Sequence, residues 1–140
     1  MDWKACAVDD LRRYRLLKTS LLNCREKIGA IKETAASGRA AIKSRGARRT
    51  DNRIIDAIVE IDRLRYNISA IEKLIKCIER GLRALSKEER LLLEKFFMSA
   101  NPANIQEIKA SLGYEMRTIY RLRDKALLKF TLAMYGVESL

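Results

Sequence analysis

The segment from residue 54 to residue 85 carries apolar side chains at alternating intervals of three and four residues, without a break. This spacing places the side chains on one stripe of an α-helix and is typical of a coiled coil. The stripe consists of Ile54, Ala57, Ile61, Leu64, Ile68, Ile71, Ile75, Ile78, Leu82 and Leu85. Because Gly81 lies inside the stripe, we expect the helix to end or bend there.

The first 36 residues repeat this pattern less cleanly. One row consists of Ala7, Tyr14, Leu21 and Ile28; the other consists of Leu17, Cys24 and Ile31, extended by Trp3 and Asp10. The simplest interpretation is an antiparallel hairpin of residues 2–36 against 52–80. An intermolecular coiled coil, with each helix pairing across a dimer, is the alternative. Leu11 and Leu22 widen the stripe, which favours further burial against a second copy and therefore a homodimer.

The connector between these two segments, residues 37–50, contains two glycines, five basic residues and no acidic residue. One interpretation is a solvated linker, because such a composition cannot bury a core. The other is an arm that follows the phosphates of DNA, with Arg45, Arg48 and Arg49 as contacts.

The overall charge narrows the class of partner. The chain has a net charge of +11 and a pI near 9.9, which favours a polyanion. We expect nucleic acid rather than a membrane, because no stretch approaches the ~20 consecutive apolar residues of a spanning helix. The start, Met1-Asp2-Trp3-Lys4, lacks the apolar core of a signal peptide, so a cytoplasmic location is expected.

The histidine and cysteine content of the sequence disfavours an enzymatic function. The sequence has no histidine, which is the most usual general base. Its three cysteines, Cys6, Cys24 and Cys77, are widely separated and form no metal-binding pair. We therefore expect no catalytic residue, no metal site and no cofactor.

The C-terminal third contains signals for three short helices. Ser86 and Glu89 have the spacing of a capping box, and the helix that they open should stop near Asn101-Pro102. Asn104 is the expected cap of a second helix that ends at about Ser111. A third helix should run from about Met116 to Phe130 or beyond.

The last two of these helices have the spacing of a helix-turn-helix. Gly113 stands where the chain must reverse through a left-handed conformation, which is costly for residues with a Cβ atom. We expect Tyr114 to fill the corner between the helices. The expected core consists of Ile108 and Leu112 from the first helix and Ile119 and Leu122 from the second.

The third helix leaves a basic face opposite this core. Arg117 and Arg121 are one turn apart and, with Tyr120, are the candidate contacts to DNA bases, since the arginine fork suits guanine O6 and N7. The flanking side chains are candidate phosphate contacts. They are Lys109, Thr118, Arg123, Lys125 and Lys129.

The stretches LSKEERLLLEKFF and NIQEIKASLGYEMRTIYRLRDKALLKF resemble region 4 of bacterial sigma-70 factors. Together with the isoleucine-rich helix before them, they are more similar still to phage and prophage late-gene transcription regulators of the ArpU and RinA type. The resemblance covers residues 52–136 well and 1–51 in outline. It implies sequence-specific promoter binding and activation through RNA polymerase. It also places Arg117, Tyr120 and Arg121 at the exposed positions of the recognition helix.

Two residues depart from the family pattern. Lys109 stands where a small alanine is usual in the first helix of the motif. Glu115 replaces the usual serine cap of the recognition helix, and its negative charge would repel phosphate.

The sequence therefore predicts an all-α protein with a long helical hairpin or coiled coil over 1–85 and a helix-turn-helix domain over 86–140. The predicted function is a dimeric transcriptional regulator of phage or prophage genes that binds double-stranded DNA. Two alternatives remain open at this point. One is a DNA-packaging protein similar to a small terminase subunit, and the other is a protein that binds RNA polymerase or a sigma factor without touching DNA.

Overall fold

A computed structural model describes the backbone of residues 1–42 and 47–137 and the side chains of 1–37 and 52–137. It contains α1 (Trp3–Ile42), α2 (Ala47–Arg83), α3 (Lys87–Leu93), α4 (Ile105–Leu112) and α5 (Met116–Tyr135). A π-helical turn, Glu94–Met98, continues α3. No strand occurs in the described ranges, and the predicted all-α class is confirmed. Within those ranges, no helix has both the length and the apolar character needed to cross a membrane.

The contacts divide the chain into two compact units. One consists of Lys18–Lys73, and the other combines Met1–Leu17 with Leu74–Leu140. This division differs from the predicted boundary at residue 85. The reason is that the first turns of α1 and the last turns of α2 share a hydrophobic cluster with α5.

Unit Lys18–Lys73 is the hairpin predicted from the heptad spacing. Within this unit, every residue of the predicted rows of α1 and of the predicted stripe of α2 is buried or half-buried. Cys24 of α1 and Leu64 of α2 are its buried members. Arg25 Nη2 lies 2.7 Å from Glu72 Oε1, which joins the beginning of the unit to its end. The two arms therefore pair within one chain and run antiparallel. Because this ion pair is exposed, it adds little to stability, and the apolar stripe supplies the rest.

Both arms extend further into the basic connector than predicted. Helix α1 continues to Ile42 and α2 begins at Ala47, although the connector was expected to span 37–50. The four alanines at 35, 36, 40 and 41 favour a helix strongly enough to carry α1 through Gly38. Residues 43–46 lie outside the described residues.

The other unit is built on a cluster shared by four helices. Its fully buried side chains include Leu11, Ile78, Leu93 and Phe130. The complete buried set is Ala7, Leu11, Ile78, Leu82, Leu85, Leu93, Ala126 and Phe130. The C-terminal half of α5 therefore belongs to the same core as the first turns of α1 and the last turns of α2.

Polar contacts fix the same elements in register. Tyr14 donates its hydroxyl proton to Glu79 Oε1 at 3.0 Å, and Tyr135 donates to Asp10. The rings of Trp3 and Tyr135 lie 5.1 Å apart. Burial and the neighbouring Asp10 carboxylate raise the pKa of Tyr135 above its ordinary value. Asp10, which the sequence placed on the apolar stripe, is therefore used as a hydrogen-bond acceptor.

Helix α2 does not end at Gly81 but continues to Arg83. A Cβ atom on Gly81 would lie 2.8 Å from Phe130 Cε2 and 3.3 Å from Met134 Cγ. The distance of 2.8 Å is shorter than two non-bonded carbon atoms tolerate. Because Phe130 is fully buried, its ring cannot move away. Glycine is therefore needed here for the close approach of α2 and α5.

We predict that Gly81→Ala lowers the free energy of unfolding by about 1–3 kcal/mol, because overpacking against Phe130 outweighs the gain in helix propensity. The matched control is Gly29→Ala. Gly29 is exposed in α1 with nothing within 4 Å of a Cβ, so this variant should be more stable by about 0.5–1 kcal/mol. Urea denaturation of both variants measures the difference. Equal stabilisation by the two substitutions would show that the two helices do not meet at Gly81.

A second prediction concerns the hairpin seam, by which we mean the apolar stripe along which α1 and α2 pair. Ile68→Asp places a charge among the half-buried side chains of the seam and should cost about 2–4 kcal/mol. Ser69→Asp introduces the same charge at the next, exposed position and should change the stability by no more than about 0.5 kcal/mol. Thermal unfolding followed by circular dichroism compares the two. If both variants melt like the parent, the seam does not hold the arms together.

Candidate nucleic-acid interface

A small core holds α3, α4 and α5 together. Leu92, Ile108 and Ile119, one from each helix, are its buried members. The half-buried side chains of Phe96, Ala103, Leu112 and Leu122 pack around them. The four core residues predicted for the helix-turn-helix, Ile108, Leu112, Ile119 and Leu122, therefore all belong to this cluster.

The helices begin where their capping residues predict. The Ser86 hydroxyl accepts from the Glu89 N–H at 3.2 Å, and Glu89 Oε1 accepts from the Ser86 N–H at 3.1 Å, which completes the capping box. Asn104 Oδ1 accepts from the backbone N–H groups of Gln106 and Glu107. Helix α5 differs, because its first flanking residue, Glu115, makes no side-chain cap hydrogen bond.

The turn between α4 and α5 depends on Gly113. Its φ of 73° is left-handed, and its N–H donates to the Lys109 carbonyl oxygen at 2.8 Å. A Cβ there would meet nothing within 4 Å, so backbone conformation rather than space requires the glycine. Tyr114 does not fill the corner as expected: it is 36% exposed, and its hydroxyl lies 3.3 Å from Glu88 Oε2. Leu112 and Leu122 complete the core instead.

The outer face of α5 presents a row of cations. Arg117, Arg121 and Lys125 are all exposed and are spaced by one helical turn each, over about 12 Å. Among the described residues, none forms a side-chain hydrogen bond or an ion pair with any of the three. Glu115 does not hold the guanidinium of Arg117, although the two lie close in sequence. The row is therefore available to a ligand.

Two other predicted DNA contacts on α5 are used within the protein. Tyr120 is half-buried, with its ring centroid 5.9 Å from that of Phe96. The Arg123 guanidinium carbon lies 5.0 Å from the Phe96 centroid and 4.9 Å from the Tyr120 centroid. Arg123 also donates from Nε and Nη2 to Asp124 Oδ1. Arg123 is thus engaged by neighbouring side chains.

Lys129 is likewise committed to an internal partner. Its Nζ lies 2.9 Å from Glu89 Oε2, an ion-pair distance, although the geometry at that oxygen is not that of a well-aligned hydrogen bond. Burial alone would raise the pKa of Glu89. The interactions with Lys129 and Ser86 outweigh it and lower that pKa below its usual value. The predicted phosphate contact therefore ties α5 to α3.

The remaining predicted phosphate contacts divide into two groups. Lys109 and Thr118 are half-buried on α4 and α5. The side chains of Arg45, Arg48 and Arg49 lie outside the described residues.

The candidate interface thus consists of Arg117, Arg121 and Lys125 on α5, with Tyr120 beside them. The opposite face of the helix packs on the core of Leu92, Ile108 and Ile119. Comparison of the chain with protein-family models, with curated proteins and with solved structures gives no match.

Proposed function

We propose that the chain binds double-stranded DNA in a sequence-specific manner and regulates transcription, with α5 entering the major groove. One observation carries the proposal. The unpaired cations Arg117, Arg121 and Lys125 lie in a row on the outer face of a helix whose inner face is buried and which follows a left-handed glycine turn. That arrangement is what a recognition helix requires.

The types of side chain favour recognition of the base sequence over nonspecific electrostatic attraction to DNA. An arginine guanidinium offers two parallel donors that match O6 and N7 of guanine. Arg117 and Arg121 lie in the first two turns of α5, and residues near the start of a recognition helix contact the base edges. Lys125 lies one turn further along, where a single point charge serves a phosphate. The net charge of +11 adds long-range attraction to the duplex.

The biological setting is a further part of the proposal and depends on the resemblance to sigma-70 region 4 and to the ArpU and RinA regulators. On that basis the chain acts at promoters of phage or prophage genes, in the cytoplasm of a bacterial host, with RNA polymerase as a second partner. It works without catalysis.

We further propose that the protein acts as a homodimer. One recognition helix reads few base pairs, and two half-sites about one turn apart multiply the specificity. The mass in solution tests this point. A ring of eight or more subunits would favour the packaging role of a small terminase subunit. Binding to polymerase with no affinity for any duplex would favour the sigma-mimic alternative.

The proposal predicts that Arg121→Ala folds normally and loses most of its preference for its cognate site. The site is the duplex that the parent protein selects from a random-sequence pool. Each bidentate contact to guanine is worth ~1–3 kcal/mol, so the ratio of cognate to scrambled affinity should fall by about five- to 150-fold. Arg117→Ala should behave in the same way. Competition binding measures the ratio, and thermal melting should differ little from that of the parent.

The matched control is Arg12→Ala, which removes an exposed arginine from α1. Its specificity ratio should equal that of the parent. If both Arg117→Ala and Arg121→Ala also keep the parent's ratio, α5 does not read the sequence.

Two lysines of α5 provide a further prediction, because one is unpaired and the other is not. Lys125→Ala should weaken binding to all sequences about equally and reduce the slope of log affinity against log salt by about one, with stability unchanged. Lys129→Ala should leave that slope unchanged and lower the free energy of unfolding by about 1 kcal/mol, because the mostly buried Glu89 loses its partner. Salt titrations and urea melts of both variants give the comparison. The opposite pattern would mean that Lys129 leaves Glu89 for the DNA.

A further inference from the structure

Tyr120 has a fixed ring and a free hydroxyl. The ring is half-buried against Phe96 and beneath the Arg123 guanidinium. Its hydroxyl makes no hydrogen bond within the described part of the chain and is not among the buried polar atoms without a partner. The hydroxyl is therefore not fully buried, and Tyr120 lies about one turn from Arg117 on α5. A rigid ring that carries an open donor and acceptor is well suited to a specific polar contact.

Arg123 packs over this pair of rings. Its guanidinium carbon lies about equally far from the two ring centroids, 5.0 Å from Phe96 and 4.9 Å from Tyr120. Both distances are within the range of a cation–π interaction. The side chain is only 26% exposed, so the interaction is partly shielded from water. The stack joins α5 to the π-helical turn that follows α3.

Asp124 sets the orientation of the guanidinium and reduces its charge. Arg123 Nε and Nη2 donate to Asp124 Oδ1 at 3.0 and 2.9 Å. The Asp124 side chain is 64% exposed, so its carboxylate lies on the outer side of the pair. A phosphate that approached Arg123 would meet this negative charge. The arrangement favours a role inside the protein over a contact with the DNA backbone.

We propose that Arg123 is a positioning residue for DNA recognition: stacked over the adjoining rings of Phe96 and Tyr120, it directs the Tyr120 hydroxyl to a base edge and does not itself bind phosphate. This inference rests on the proposed function, since it assigns how the same helix face reads DNA. It also makes Phe96, which lies outside the helix-turn-helix motif, part of the specificity of the site.

The test is a double-mutant cycle on the duplex that the parent protein selects from a random-sequence pool, with a scrambled duplex as competitor. Tyr120→Phe keeps the ring stack and removes the hydroxyl, and should lower the specificity ratio about fivefold. Arg123→Ala should lower the ratio by a similar factor and leave the salt slope unchanged. The double variant should lose less than about twofold more, because the two changes remove the same contact.

Two further variants separate positioning from other roles. Phe96→Leu removes the ring that contacts both Tyr120 and Arg123 without altering any charge, and should also lower the ratio at an unchanged salt slope. Arg123→Lys keeps the cation over the rings and should restore part of the ratio. A merely structural role would lower the melting temperature without coupling to the Tyr120 hydroxyl.

The contrary results are equally distinct. If Arg123→Ala reduces the salt slope by about one and its loss multiplies with that of Tyr120→Phe, Arg123 binds phosphate and the inference is wrong. A parent protein that selects a duplex while Tyr120→Phe or Phe96→Leu keeps the full ratio also overturns it, and leaves the proposed function intact. If Arg123→Ala fails to fold, Phe96→Leu decides. Failure of the parent to select any duplex rejects the proposed function itself.

Discussion

The contact of Phe130 with the backbone of Gly81 sets the position of α5, and the candidate interface depends on that helix. The ring of Phe130 lies so close to α2 that even a methyl group at residue 81 would overlap it. The C-terminal half of α5 is held in this way in the cluster formed with α1 and α2, while its N-terminal half packs on Leu92 and Ile108. One helix of 20 residues thus belongs to two hydrophobic clusters. The basic face of α5 is correspondingly rigid, because a tilt of the helix would disturb both clusters at once.

The basic side chains of α5 fall into two groups: some contact other parts of the protein, and the others are exposed and unpaired. Lys129 is paired with Glu89, and Arg123 lies over two adjoining aromatic rings with Asp124 beside it. The exposed, unpaired cations are therefore fewer than the number of basic residues suggests. Since each phosphate contact contributes separately to the salt dependence of binding, counting lysines and arginines along the helix overestimates its electrostatic contribution.

Local spacing allowed much of this arrangement to be predicted from the sequence. The heptad stripe, the caps at Ser86 and Asn104, and the left-handed Gly113 each depend on residues within one or two turns of one another. The four core residues of the helix-turn-helix follow from the same periodicity. Within the candidate site, the exposure of Arg117 and Arg121 was also predictable, because these residues lie opposite Ile119 and Leu122.

Contacts between elements distant in sequence could not be predicted in this way. Nothing in the local pattern shows that Gly81 meets Phe130, that Glu89 pairs with Lys129, or that Arg123 reaches Phe96. For the same reason the expected boundary at residue 85 differs from the compact units, since it ignored the burial of α5 on α1 and α2. Heptad spacing shows which face of a helix is buried but not which helix covers it.

The pairing of Trp3 with Tyr135 has a spectroscopic consequence. Trp3 is the single tryptophan of the chain, and its ring lies 5.1 Å from that of Tyr135 in the last turn of α5. Arg117 and Arg121 lie at the other end of the same helix. The intrinsic fluorescence of the protein therefore reports whether the distal end of α5 is docked on α1, without any label. A change in emission on adding a ligand to the basic face would mean that an event at the start of the helix is transmitted along its full length.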